Sequence, residues 1–205
     1  MNEDHDRLEL LTLNPSREQR AELVHNILAV YDRANADQHS QGMHWYDTAH
    51  ELAGMIGFGD YNKGAGIIAV LSANTGWTRN VELARMVADG KPAPHFAVVQ
   101  EKVTAIMGGA NPPSVIGKGL KTLNFFYNIA TPGRSGPVTI DRHAHDIARG
   151  ERWGTRNRAL TTGTRYAILK EAYRDAAALR GVRPHEMQAV TWVVWTQESP
   201  INRKY

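Results

Sequence analysis

The feature that most constrains this chain is the spacing of its apolar residues. They return every three or four positions, Gly and Pro cut the pattern into short blocks, and no convincing run of strict alternation occurs. A half-buried strand needs period-2 alternation, so the sequence offers little from which to build a sheet. Residues 190–194 are the best β-branched patch, and helical neighbours flank them. The spacing predicts an all-α fold.

The blocks can be read off in order. Ser16 opens a capping-type stretch, with Leu23, Ile27, Leu28 and Tyr31 following at helical spacing. Further helices are expected over 43–55, 67–71, 81–87 and 98–107, the first and the last two stopped by glycine. Four more are expected over 120–129, 141–148, 165–179 and 184–195. The Gly/Arg-rich stretch 150–163 reads as a subdomain seam. At 205 residues the chain suits one domain, or two intimate subdomains, with ample core.

Composition removes several chemistries. With Cys 0 there is no disulfide, thiolate zinc site, iron–sulfur cluster or Cys nucleophile. Lys+Arg 24 against Asp+Glu 21 leaves a net charge of +3, which permits an anionic partner without demanding one. No apolar run approaches the ~20 residues of a membrane span. The opening MNEDHDRLEL is acidic, unlike a signal peptide. These features lead us to expect a soluble cytoplasmic protein with no membrane partner.

The informative segment is 115–148. Val115-Ile116-Gly117-Lys118-Gly119 reads as an apolar stop, a tight glycine hairpin and the start of a new helix at Leu120. Amide N–H groups at such a turn suit a phosphate, and Lys118 adds charge at its tip. By itself this pattern reads first as an ordinary helix–helix turn.

The segment VIGKGLKTLN (115–124) resembles the hairpin and following helix of the helix–hairpin–helix DNA glycosylases of the endonuclease III type. In that family an apolar-x-Gly-x-Gly hairpin leads into a Lys-Thr pair, and an acid in a D-x-H context follows. Here Lys121-Thr122 fill the first slot and Asp141-Arg142-His143 the second, with Asp141 20 residues after Lys121. Upstream, LSANTGWTRN (71–80) is similar to the family's L-S-x-Q/N-T segment, which sets a polar side chain at the DNA stack. The resemblance covers 67–148. The flanking helices, 16–57 and 165–195, lie outside it. The chain thus reads as a divergent member, a description that also fits virus-encoded relatives.

The resemblance implies a single helix–hairpin–helix domain over 1–205, made of two intimate helical subdomains with a cleft between them. It implies a monomer acting on double-stranded DNA without a metal or cofactor. Asp141 and Lys121 are the implied catalytic pair. Gly117, Lys118, Gly119, Asn74, Thr122, Arg142 and His143 are the implied DNA contacts. Cleaving an N-glycosidic bond builds oxocarbenium charge, which an ionised carboxylate such as Asp141 opposes. An amine of lowered pKa, Lys121 at a helix start, can attack C1′ and form a Schiff base. Each also has a plainer role: Lys121 as a phosphate contact and Asp141 as a helix cap.

Other features carry alternatives. His143, His145 and Asp146 form an H-x-H-D pattern that invites a metal phosphohydrolase reading, with His95 and Asp175 as further ligands. Adjacent helical residues point apart, however, and the upstream spacing is unconvincing. His44, Trp45 and Tyr46 suit either a base-stacking platform or core. Trp192, Trp195, Met43, Met55 and Met107 read as packing. Arg149, Arg152, Arg156, Arg158 and Arg165 concentrate positive charge, opposed within 149–165 only by Glu151. This cluster suits phosphate contact or a solvated loop. Base excision is therefore the leading function. A transferase modifying an activated 5-hydroxymethyl pyrimidine on the same scaffold is the alternative, and a DNA-binding module using the hairpin alone is the third.

Overall fold

The structure is a computed structural model that describes residues 11–198. In chain order the helices are α1 (Arg17–Tyr31), α2 (Ala36–Met43), α3 (Trp45–Ile56), α4 (Tyr61–Leu71), α5 (Trp77–Ala88) and α6 (Ala97–Met107). They continue with α7 (Pro112–Ile116), α8 (Leu120–Ala130), α9 (Arg142–Arg149), α10 (Gly163–Arg180) and α11 (Pro184–Glu198). No strand occurs among the described residues, so the fold is all-α. No described helix is long and apolar enough to cross a membrane.

The helices divide into two compact units. Residues 44–137 form one, and the segments before and after them form the other. The boundaries at 43/44 and 137/138 correct the seam expected at 150–163, which lies inside a single unit.

The contiguous unit is organised around α4. From Gly64 to Leu71 every residue of this helix is buried, and α3, α5, α6, α7 and α8 all pack against it. A helix that is apolar on all sides needs such a sheath. Its glycines set how closely the neighbours approach. A Cβ on Gly64 would lie 1.8 Å from the Ala53 carbonyl oxygen of α3, and one on Gly66 would lie 2.6 Å from Pro112 Cβ of α7. These glycines read as breakers in sequence, which is why a helix only over 67–71 was expected. They act instead as contact points inside it.

The split unit joins α1 and α2 to α9, α10 and α11. Ser16 forms the expected capping box, accepting from Gln19 N–H while the Gln19 side chain accepts from Ser16 N–H. Leu23, Ile27, Tyr173, Met187 and Val190 are among the residues of its core. At Gly42 a Cβ would lie 2.4 Å from Val190 Cα, so α2 and α11 meet backbone to backbone. The polar helix α2 was not expected, because its sequence ADQHSQGM has no apolar stripe. Met55 is 64% exposed, against its expected place in the core.

Candidate functional site

The hairpin is a short helix, a glycine turn and a second helix. Pro112 at the start of α7 has no N–H to lose, and Gly117 ends that helix at φ +71°. That left-handed conformation favours glycine at Gly117. Gly119, at φ −70° with nothing closer to its Cβ position than 3.9 Å, carries no such demand. Lys102 Nζ donates to the Ile116 carbonyl across 3.3 Å and braces the turn. Gly117, Lys118 and Gly119 are exposed, Thr122 is half-buried, and the α8 N-cap at Gly119 has no side-chain cap.

Lys121 lies in the first turn of α8. Its ammonium donates to Ser72 Oγ at 2.7 Å and sits 5.0 Å from the centre of the Phe125 ring. The Ser72 hydroxyl in turn donates to the Ala69 carbonyl at 2.7 Å, which fixes its orientation. Behind Phe125 lie Trp45 at 5.9 Å and Tyr46 at 6.3 Å, with Trp77 4.7 Å beyond Trp45. Tyr46 is buried, so this group forms an aromatic wall rather than an open platform. Ser72 belongs to the LSANT segment but was not singled out in the sequence. Two positions further on, Asn74 is exposed and left-handed at φ 53°. Asn tolerates that conformation better than most residues.

Asp141 belongs to the other unit. It is the N-cap of α9, and its Oδ1 accepts from Ala144 N–H at 2.9 Å. Buried Ile140 anchors the approach. The Tyr166 hydroxyl donates to the Val138 carbonyl at 2.8 Å and accepts from Ile140 N–H at 3.1 Å. The Ala144 N–H thus holds the carboxylate while Tyr166 fixes the backbone that leads into it, and capping is part of its role. Arg142 beside it is half-buried. His143 is only 7% exposed, which leaves little of its ring for the expected DNA contact.

The H-x-H-D pattern resolves as a structural network. Arg158 donates to both Asp146 oxygens at 2.7 Å, Trp153 N–H adds a bond at 3.1 Å, and His145 Nδ1 lies 3.0 Å from Oδ1. With Asp146 so occupied it is not offered to a metal. No group of three His, Cys, Asp or Glu able to hold a metal ion occurs among the described residues.

Comparison with known proteins adds one relation. The family described as "Family of unknown function (DUF7178)" matches residues 11–199. The chain belongs to this family. The match runs through both units, so the glycine hairpin and the Asp146 network both lie within the family region. No curated protein and no solved structure matches the chain.

In this family member the network makes stability depend on acid. Burial pushes the His145 imidazole below its ordinary value, against the opposing pull of Asp146. Burial alone would raise Asp146, but the bonds from Arg158, His145 and Trp153 more than offset it and hold the carboxyl below its usual range. Both groups favour the less protonated form in the fold. Their stabilisation is complete above the unfolded values, about 6.5 for His and 3.9 for Asp, and is lost as pH falls toward the folded ones. The urea midpoint should therefore fall between pH 7.5 and pH 5.5, and His145→Gln should flatten that decline. An equal decline in the variant would show that His145 is not its source.

Proposed function

We propose that the chain is an intracellular base-excision DNA glycosylase with strand-nicking capacity. It acts on double-stranded DNA as a monomer, turns a base out of the stack and breaks its glycosidic bond. One observation carries this reading. Lys121 and the LSANT segment, matched to the glycosylases separately and 49 residues apart, meet in a 2.7 Å bond between Lys121 Nζ and Ser72 Oγ.

The chemistry follows from the side chains. As the C1′–N bond breaks, the base leaves with the electron pair and takes a proton. Lys121 gives up its ammonium proton, which solvent relays to the departing base, and the free amine bonds to C1′. Ring opening then gives the Schiff base as O4′ takes up a proton. Ser72 and the Phe125 ring keep the amine in one place before attack. The Asp141 carboxylate opposes the positive charge that develops on the sugar. Exposed Asn74 supplies an uncharged amide to the orphaned partner base.

Duplexes carrying a panel of modified and mismatched bases, treated with borohydride, provide the test. A covalent protein–DNA adduct that disappears in Lys121→Gln is the expected result. Mass gain on a base without base loss would favour the transferase. DNA binding with neither change would leave the hairpin as a binding module.

A further inference from the structure

The stretch 149–158 is largely exposed, but Trp153 anchors it. Trp153 is 2% exposed, and the guanidinium carbons of Arg156 and Arg149 lie 4.6 Å and 5.6 Å from its ring centre. The Arg152 guanidinium lies 4.1 Å from the Trp195 ring centre, and Arg152 Nη2 donates to the Trp195 carbonyl at 2.6 Å. The nearby carboxylates are already engaged. Asp146 holds the fork of Arg158, and Glu151 accepts from Trp153 Nε1 at 2.7 Å. Arg149 and Arg152 form no ion pair among the described residues.

Three buried nitrogens in this group have no hydrogen-bond partner among the described residues: Arg149 Nε, Trp195 Nε1 and His145 Nε2. Two of them, on Arg149 and Trp195, are N–H donors. His145 is fully buried and lies one turn before Arg149 on the same face of α9, with its ring 4.7 Å from Trp153. A buried donor without an acceptor is costly, and such groups gather where a ligand completes them. Two guanidinium groups lying beside indole rings, with charge that no carboxylate answers among the described residues, suit a tetrahedral dianion. We propose that Arg149 and Arg152, braced by Trp153 and Trp195, form a phosphate-binding site in the unit that carries Asp141. The phosphate comes either from solution or from a nucleic-acid backbone, and the site does not depend on the glycosylase reading.

The test is thermal unfolding of the full chain in inorganic phosphate against chloride at matched ionic strength. Phosphate should raise the wild-type midpoint by several degrees, as any ligand of the native state does. Arg149→Gln should abolish the rise. Arg152→Gln, an exposed position that leaves the Trp153 packing alone, should reduce it by half or more. A second arm measures duplex binding over a range of salt. A salt slope that falls by about one in Arg152→Gln assigns the site to backbone phosphate. An unchanged slope with a lost thermal shift assigns it to free phosphate. A wild type that does not distinguish phosphate from chloride overturns the proposal, as does an undiminished shift in both variants. Neither arm reads base release, so this site and the glycosylase reading fail separately.

Discussion

Asp141→Asn is expected to lower base release by on the order of 10²-fold or more while leaving the fold intact. The size of the loss follows from the role proposed for Asp141, a fixed charge that opposes a developing cation. The preserved fold follows from the cap. Asn is as good an N-cap as Asp, so the bond from Ala144 N–H survives the exchange. Asp141→Ala loses the charge and the cap together, and should cost about 1 kcal/mol of stability besides. Single-turnover base release and thermal melts on the two variants separate the roles. DNA affinity should hold or rise in Asp141→Asn, because a negative charge near phosphates has gone. Unimpaired release in that variant would leave Asp141 as a cap and nothing more.

Gly64→Ala should be the most damaging single methyl added to the contiguous unit. Helix propensity alone favours alanine over glycine by roughly 0.5–1 kcal/mol. Packing reverses the sign. The new Cβ would sit 1.8 Å from the Ala53 carbonyl oxygen and 2.6 Å from its carbon, both backbone atoms that cannot swing aside. Forcing α3 and α4 apart should cost about 3 kcal/mol or more, at the upper end for overpacked sites. Gly163→Ala is the control. Nothing lies within 4 Å of its Cβ position at the start of α10, so it should be neutral or mildly stabilising. Urea unfolding of the two variants measures both, and equal stability would show that the α3–α4 contact relaxes freely.

These glycines also show where the sequence stops being legible. Elements with an apolar stripe and a clear stop were readable. The cap at Ser16 and the bodies of α6, α8, α10 and α11 fall within a few residues of the expected bounds. The bounds of α4 were not readable, because a glycine that breaks one helix is chemically the same as one that lets two helices touch. Short α7 was read as an apolar stop, and polar α2 carried no periodic signal. At the candidate site the hairpin glycines were visible from spacing, and Lys121 through the resemblance. The hydroxyl that holds Lys121 was not, since Ser72 and Lys121 are brought together only by the packing of α4 on α8. The arginine cluster was visible as charge. The seat of Arg152 on Trp195 was not, because it joins residues 43 apart in the chain.

The division of one unit by the other has a consequence for how the protein is made. Helix α1 finds its packing partners in α9, α10 and α11, which emerge from the ribosome only after all of residues 44–137 have been synthesised. At about 5–20 residues per second, α1 waits on the order of ten seconds with Leu23 and Ile27 lacking the neighbours that bury them. The contiguous unit has no such delay, because its central helix and sheath leave the exit tunnel together. The later-translated segment of the split unit therefore closes a core that α1 has already begun, with the hairpin unit folded in the interval. Nascent chains arrested before α9 should accordingly protect α4 from proteolysis while leaving α1 open to it.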